Sequence, residues 1–209
     1  MREALTHLRR DPVLGPLIAQ VGPYRLRPVQ RSPYEALVRA IAHQQVHGRA
    51  AEAILGRFIA LFPETAFPEP EAVLSADEAR LRAAGFSGSK ILAIRDICLR
   101  TLDGTVPTRR RAMRMSDAEL IARLTEVRGV GRWTVEMLLM FTLGRPDILP
   151  VDDFGVREGY RVLHGLDEQP RPRDLAALAE PWAPWRTYAS WYLWRAAEAA
   201  RRTGPQSRT

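Results

Sequence analysis

Few side chains in this sequence are equipped for covalent or acid–base chemistry. Two adjacent carboxylates, Asp152 and Asp153, follow the punctuated stretch Gly144-Arg-Pro146 and introduce Phe154-Gly-Val156-Arg157. An ionised carboxylate can stabilise positive charge where it develops, and can orient or deprotonate a water molecule. A helix N-terminus favours that ionised form, although the same residues can equally do no more than cap a helix. His43 and His47 stand four apart, a spacing that can present two metal ligands, but no third ligand lies near them. Lys90 is the only lysine, so it is the only side chain that could serve as an amine nucleophile of the Schiff-base type. Cys98 is the only cysteine, which excludes an intrachain disulfide framework and a cluster held by four cysteines.

The elements that must position these groups read as helices throughout. Ser32-Pro-Tyr-Glu35, Ser75-Ala-Asp-Glu78 and Ser116-Asp-Ala-Glu119 each have the pattern of a capping box. Apolar residues then recur at helical spacing, as in Leu37, Ile41 and Ala42, or Leu120, Ile121 and Leu124. Phe62-Pro63, Gly85, Gly104, Gly144-Arg-Pro146 and Gly165 separate the helices, and the Pro-rich pieces 63–70 and 168–173 read as loops. No alternating strand pattern stands out, so the expected fold is all-α.

One stretch is more specific than the rest. In Leu124-Thr-Glu-Val-Arg-Gly129-Val130-Gly131-Arg-Trp-Thr134, two glycines flank a single apolar residue between two amphipathic helices, the second expected over Trp133–Leu143. Glycine accepts positive φ, so the turn can be tight and its backbone can lie near the surface. The second helix then presents amide groups with no side chain in the way, a ready site for a phosphate oxygen, while Val130 plugs inward. An ordinary helical hairpin would need only Gly-x-Gly; the longer pattern narrows the choice.

Length and composition fit this picture. The chain has 209 residues, enough for one sizeable core or two small helical lobes, and 46% of them are hydrophobic, which indicates a globular protein. No apolar run approaches the ~20 residues that span a bilayer. The N-terminus lacks a secretory apolar region, so an intracellular, cytoplasmic location is expected. The net charge is +7, carried almost wholly by arginine, and favours a polyanionic partner.

The pattern Leu-x-x-Val-x-Gly-Val-Gly-x-x-Thr resembles the helix-hairpin-helix of the HhH-GPD base-excision DNA glycosylase superfamily, which includes endonuclease III. Arg128 stands where that family usually has proline. The superfamily places an aspartate at the start of the helix after the hairpin, three residues before an aliphatic residue; Val156 thus selects Asp153 as the catalytic residue. The similarity is greatest to the alkylpurine branch, the 3-methyladenine DNA glycosylase II enzymes. Where the endonuclease III branch carries its nucleophilic lysine, this chain has Trp133, as the alkylpurine branch does, so the resemblance implies hydrolysis without strand cleavage.

The same resemblance implies a base pocket of Trp133, Phe154, Trp194 and Met137, with Trp182, Trp185 and Trp191 either core or pocket. Electron-poor alkylated bases would be attracted by such aromatic faces. DNA contacts are expected from Arg128, Gly129, Val130, Gly131, Arg132 and Thr134 of the hairpin. The family's Ile-x-x-Gln-Gln-Val-Ser junction is matched near Gln45, the expected wedge that fills the gap left by a flipped base, with His47 in place of serine. Two lobes are implied, 33–145 and 1–32 plus 146–209, with the active site in the cleft between them. A Na⁺ or K⁺ at hairpin carbonyls near Val127 and Val130 would fit the family; no other cofactor is implied. The implied partner is double-stranded DNA containing alkylated bases, bound by a monomeric, nucleoid-associated protein of bacterial type. A non-catalytic lesion-binding protein and a mismatch or deaminated-base glycosylase are the rival readings.

Overall fold

Helix starts set the architecture, and most are marked by an oxygen that accepts an otherwise orphaned amide. Ser32, Ser87, Thr108 and Ser116 each cap a helix through the third amide of its first turn, and Ser116 with Glu119 completes a full capping box. Ser75 does not behave as expected. It ends one short helix, its hydroxyl donating to the Glu71 carbonyl, and Asp77 caps the next by accepting the Ala79 amide. Asp77 lies closer to the apolar Leu81 turn, and Pro70, at the first position of the preceding helix, has already committed residues up to Ser75.

The computed structural model describes residues 1–203, and among these every regular element is helical. The chain divides into two compact units. One is Val29–Leu143; the other joins Met1–Pro28 to the chain from Gly144 onward. No described helix is long and apolar enough to cross a membrane.

The Val29–Leu143 unit contains α3 (Pro33–His43), α4 (Gly48–Ala60), α5 (Pro70–Ser75), α6 (Glu78–Ala83), α7 (Gly88–Leu102), α8 (Arg109–Ala112), α9 (Asp117–Leu124) and α10 (Arg132–Leu138). The last of these widens into a π-helical turn, Leu139–Leu143, so the uniform helix expected over Trp133–Leu143 is in fact two kinds of helix. Leu37, Ile41, Leu55, Phe58, Ile91, Ile94, Leu124 and Leu139 are fully or almost fully buried. The Phe58 ring meets those of Phe62, Phe67 and Phe86 edge-on. Arg109, in the basic run, is structural: its guanidinium donates to the carbonyls of Thr142 (2.6 Å) and Arg31 (3.3 Å).

The other unit contains α1 (Arg2–Leu8), α2 (Leu14–Val21), α11 (Phe154–His164), α12 (Pro172–Leu178) and α13 (Arg186–Thr203). Its core includes Leu8, Leu14, Ile18, Val156, Tyr192 and Leu193. Trp182 and Trp191 belong to this core rather than to an open pocket; the Trp182 indole donates to Asp11 at 2.8 Å, and Trp191 meets Tyr24 edge-on. Trp185 is packed against the same cluster. At the start of α13, Arg186 grips Asp147 through two 2.7 Å hydrogen bonds. Burial pushes the Asp147 carboxyl up, but these bonds outweigh it and hold the group below its ordinary value.

The approach of α11 to α13 is unusually close at Gly159, where a Cβ would lie 2.0 Å from the Leu193 carbonyl oxygen. Gly159→Ala is therefore expected to separate the two helices and cost about 1–3 kcal/mol. A urea midpoint equal to the parent's, with an unchanged slope, would contradict this packing.

Candidate functional site

Asp153 is the N-cap of α11, in an extended conformation, and its Oδ1 accepts the Val156 amide at 2.8 Å. The same oxygen receives the indole N–H of Trp194, on α13, also at 2.8 Å. Two donors from two helices thus fix the orientation of this carboxylate. The neighbouring Asp152 is exposed in the preceding turn. Phe154, the first residue of α11, is 64% exposed. Within this unit the structure brings Asp153 and Trp194 together, with Phe154 beside them in sequence and open to solvent.

The hairpin lies in the Val29–Leu143 unit. Gly129 adopts φ +76°, and a Cβ there would meet Ala93 Cβ at 3.2 Å and Ile41 Cδ1 at 3.4 Å, so both its conformation and its surroundings call for glycine. The Val130 side chain is buried, and its amide donates to the Val127 carbonyl. Gly131 is the N-cap of α10; no side chain caps this end, and a Cβ at Gly131 would meet nothing within 4 Å. The first main-chain bond of the helix runs from Val135 N–H to the Gly131 carbonyl, which places the amides of residues 132–134 ahead of the ladder. Arg128 and Arg132 are exposed; the Arg128 amide is held by Asp96, and the Arg132 guanidinium by Glu136. Thr134 departs from expectation. It is 5% exposed, turned inward as the third residue of α10, so its side chain is not a surface contact and only its amide belongs to the turn.

The same unit carries an open cavity of about 550 Å³. Trp133, Met137 and Phe141 line it at four-residue spacing, joined by Arg39, His43 and Gln44. Phe141 lies within the π-helical turn and lines the cavity with Met137. At the cavity's edge α3 ends in Gln44, followed by Gln45 at φ +57°, the sole positive φ outside glycine among the described residues. Gln45 is exposed, and so is His47, which begins α4. Lys90 donates to the Ala42 carbonyl at 2.9 Å, and burial pushes its pKa down; the only lysine thus closes the C-terminus of α3. His43 pairs with Glu52 at 3.0 Å, and among the described residues no group of three or more histidines, cysteines or carboxylates is placed to hold a metal.

Sequence reasoning missed two residues here. Gln44 donates its side-chain amide to the Gly129 carbonyl at 3.0 Å, tying the Gln45 segment to the hairpin; nothing local signals a partner that distant in sequence. Phe141 could have been found, since it continues the Trp133, Met137 spacing.

The uncapped hairpin and the Asp153 cap thus stand in an all-helical arrangement of the described residues. Residues 38–184 match the model of the HhH-GPD superfamily of base excision DNA repair proteins, and the chain belongs to that superfamily. It is 44% identical to DNA-3-methyladenine glycosylase 1 of Schizosaccharomyces pombe over 90% of this chain and 84% of that one. A solved structure of the S. pombe 3-methyladenine DNA glycosylase in complex with abasic DNA superposes with a TM-score of 0.85 at 41% identity, covering 99% of this chain and all of that one. A DNA-3-methyladenine glycosidase from Bacillus halodurans gives a TM-score of 0.87 at 33% identity, covering 97% and 92%.

The two hairpin glycines are expected to respond differently to alanine. Gly129→Ala forces a side chain into positive φ and should cost about 1–3 kcal/mol of stability. Gly131→Ala should keep its melting temperature, because its backbone is extended at φ −90° and a Cβ there would meet nothing within 4 Å. Equal melting temperatures for the two variants would refute the assignment of roles.

Proposed function

We propose that this chain is a monofunctional DNA glycosylase that hydrolyses the N-glycosidic bond of 3-methyladenine and related alkylated bases in duplex DNA. The observation that carries the reading is the Asp153 carboxylate, fixed at the N-terminus of α11 by the Val156 amide and the Trp194 indole. Breaking a glycosidic bond transfers the bonding pair to the base and leaves positive charge on the sugar. A preorganised anion stabilises that charge as it forms. An alkylated base that is cationic in the nucleotide departs neutral, water adds its oxygen to the anomeric carbon, and the carboxylate orients that water and receives its proton.

The remaining roles follow the same reading. Amides of the Arg128–Thr134 turn, with the Arg128 and Arg132 guanidinia, would hold a DNA phosphate, and Gln45 with His47 would enter the duplex as the base leaves it. Trp133, Met137, Phe154 and Trp194 are the aromatic and polarizable faces for the expelled base. The Val127 and Val130 carbonyls are oxygen donors of the kind a Na⁺ or K⁺ ion takes, and such an ion would add positive charge to the turn. The 44% identity to an enzyme named glycosylase 1 draws the substrate reading towards 3-methyladenine and gives no separate support to the type II label. A monomer acting on DNA is sufficient for every role named.

Asp153→Asn keeps the shape but removes the charge. It is expected to lower release of 3-methyladenine and 7-methylguanine from alkylated DNA by about 10²–10³-fold, with affinity for the duplex retained. If the parent and the variant are equally inert while both bind DNA, the enzyme reading fails and the lesion-binding one takes its place. With Trp133 at the lyase position and Lys90 engaged by Ala42, the parent protein is expected to leave abasic strands intact until alkali is added. Borohydride trapping of a protein–DNA adduct would overturn that expectation.

A further inference from the structure

The first turn of α11 contains a glycine, Gly155, where helix propensity alone would favour alanine. It does not have a positive φ, so backbone freedom does not account for it. Its surroundings do. A Cβ at this position would lie 2.8 Å from Trp194 Cδ1, 3.1 Å from Trp194 Nε1 and 3.2 Å from Asp153 Oδ1. These atoms belong to the two side chains joined by the 2.8 Å indole–carboxylate bond. Retreat of the ring together with its helix would open the close packing of the preceding residue, Leu193, against Gly159. We propose that Gly155 is a positioning residue for the Asp153 carboxylate, acting through the Trp194 indole: its missing side chain is the space in which that hydrogen bond forms. The proposal rests on the glycosylase reading for its effect on rate, but its geometry can be tested without it.

Three variants test it: Gly155→Ala, Trp194→Phe and the two combined. Each is measured for single-turnover release of 3-methyladenine, affinity for abasic-site duplex and melting temperature. Gly155→Ala is expected to slow release by about 10–100-fold, with affinity within about twofold and melting lowered by no more than a few degrees, as the better helix former partly offsets the lost hydrogen bond. With the indole replaced by the smaller ring, adding Gly155→Ala should cost less than about threefold further, because the group it displaces is gone. Full release by Gly155→Ala overturns the proposal, as does a loss that multiplies undiminished in the Trp194→Phe background.

A readout independent of activity is the indole ¹H–¹⁵N resonance of Trp194, identified by its disappearance in Trp194→Phe. It should shift in both Gly155→Ala and Asp153→Asn; a resonance unmoved by either refutes the contact. If the resonance shifts as expected but the parent releases no alkylated base, the positioning geometry stands and the glycosylase reading falls. Should Gly155→Ala alone fail to fold, recovery of folding in the double variant supports the steric conflict with the ring, and continued failure refutes it.

Discussion

Where α11 meets α13, a peptide carbonyl occupies the space that any side chain at Gly159 would need. The separation of the two helices is set by this contact, and everything at the N-terminus of α11 inherits it. Four residues earlier the same face of α11 reaches the Trp194 ring, and two residues before that stands the Asp153 cap. An indole can bridge from one helix axis to the cap of another only within a narrow range of spacing. The carboxylate is therefore oriented by rigid helix packing and by a bond that forms part of the helix cap, not by a mobile loop. Such preorganisation is what electrostatic stabilisation of a developing charge requires, since no reorganisation is then left for the moment of reaction.

The Val29–Leu143 unit works by a different constraint, the exclusion of side chains. Its turn needs Gly129 for conformation, whereas a Cβ at Gly131 would meet nothing within 4 Å, so the two glycines are alike in the sequence but not in physical role. Around that turn, side chains are spent on holding backbone: Asp96 on the Arg128 amide, Gln44 on the Gly129 carbonyl, Lys90 on the end of α3. A surface of exposed amides is rigid only if its neighbours fix it, and these three bonds come from α7, which carries both Asp96 and Lys90, and from the C-cap of α3.

What could be read from the sequence depended on how local the determining physics was. Glycines that demand positive φ, serines three residues ahead of glutamate, and apolar residues at helical spacing announced the helices, the hairpin and the all-α class. Asp153 was separable from Asp152 only by position within a family pattern. The structure distinguishes the two by their surroundings: one caps α11 and accepts an indole, and the other is exposed. Among the tryptophans of the C-terminal segment only Trp194 was set apart, and that by family resemblance; side-chain chemistry alone does not divide them, yet Trp182, Trp191 and Trp194 meet Asp11, Tyr24 and Asp153 respectively. Ser75 misled because a capping pattern is satisfied equally by the end of one helix and the start of the next. The inward turn of Thr134 and the π-helical widening before Leu143 depend on packing against distant residues, which no short window contains.

The unit that holds Asp153 is interrupted by the whole of the other one, and this orders events during synthesis. Helices α1 and α2 emerge before the hairpin unit, yet their apolar partners Val156, Tyr160, Tyr192 and Leu193 emerge only after it. The intervening Val29–Leu143 segment is complete long before then and has its own core to bury. On a growing chain the hairpin unit is thus able to fold while the two N-terminal helices wait, their apolar faces uncovered. The oriented carboxylate comes into being only when α13 has emerged and packed on α11, so the acid group and the helix that aims it are finished together.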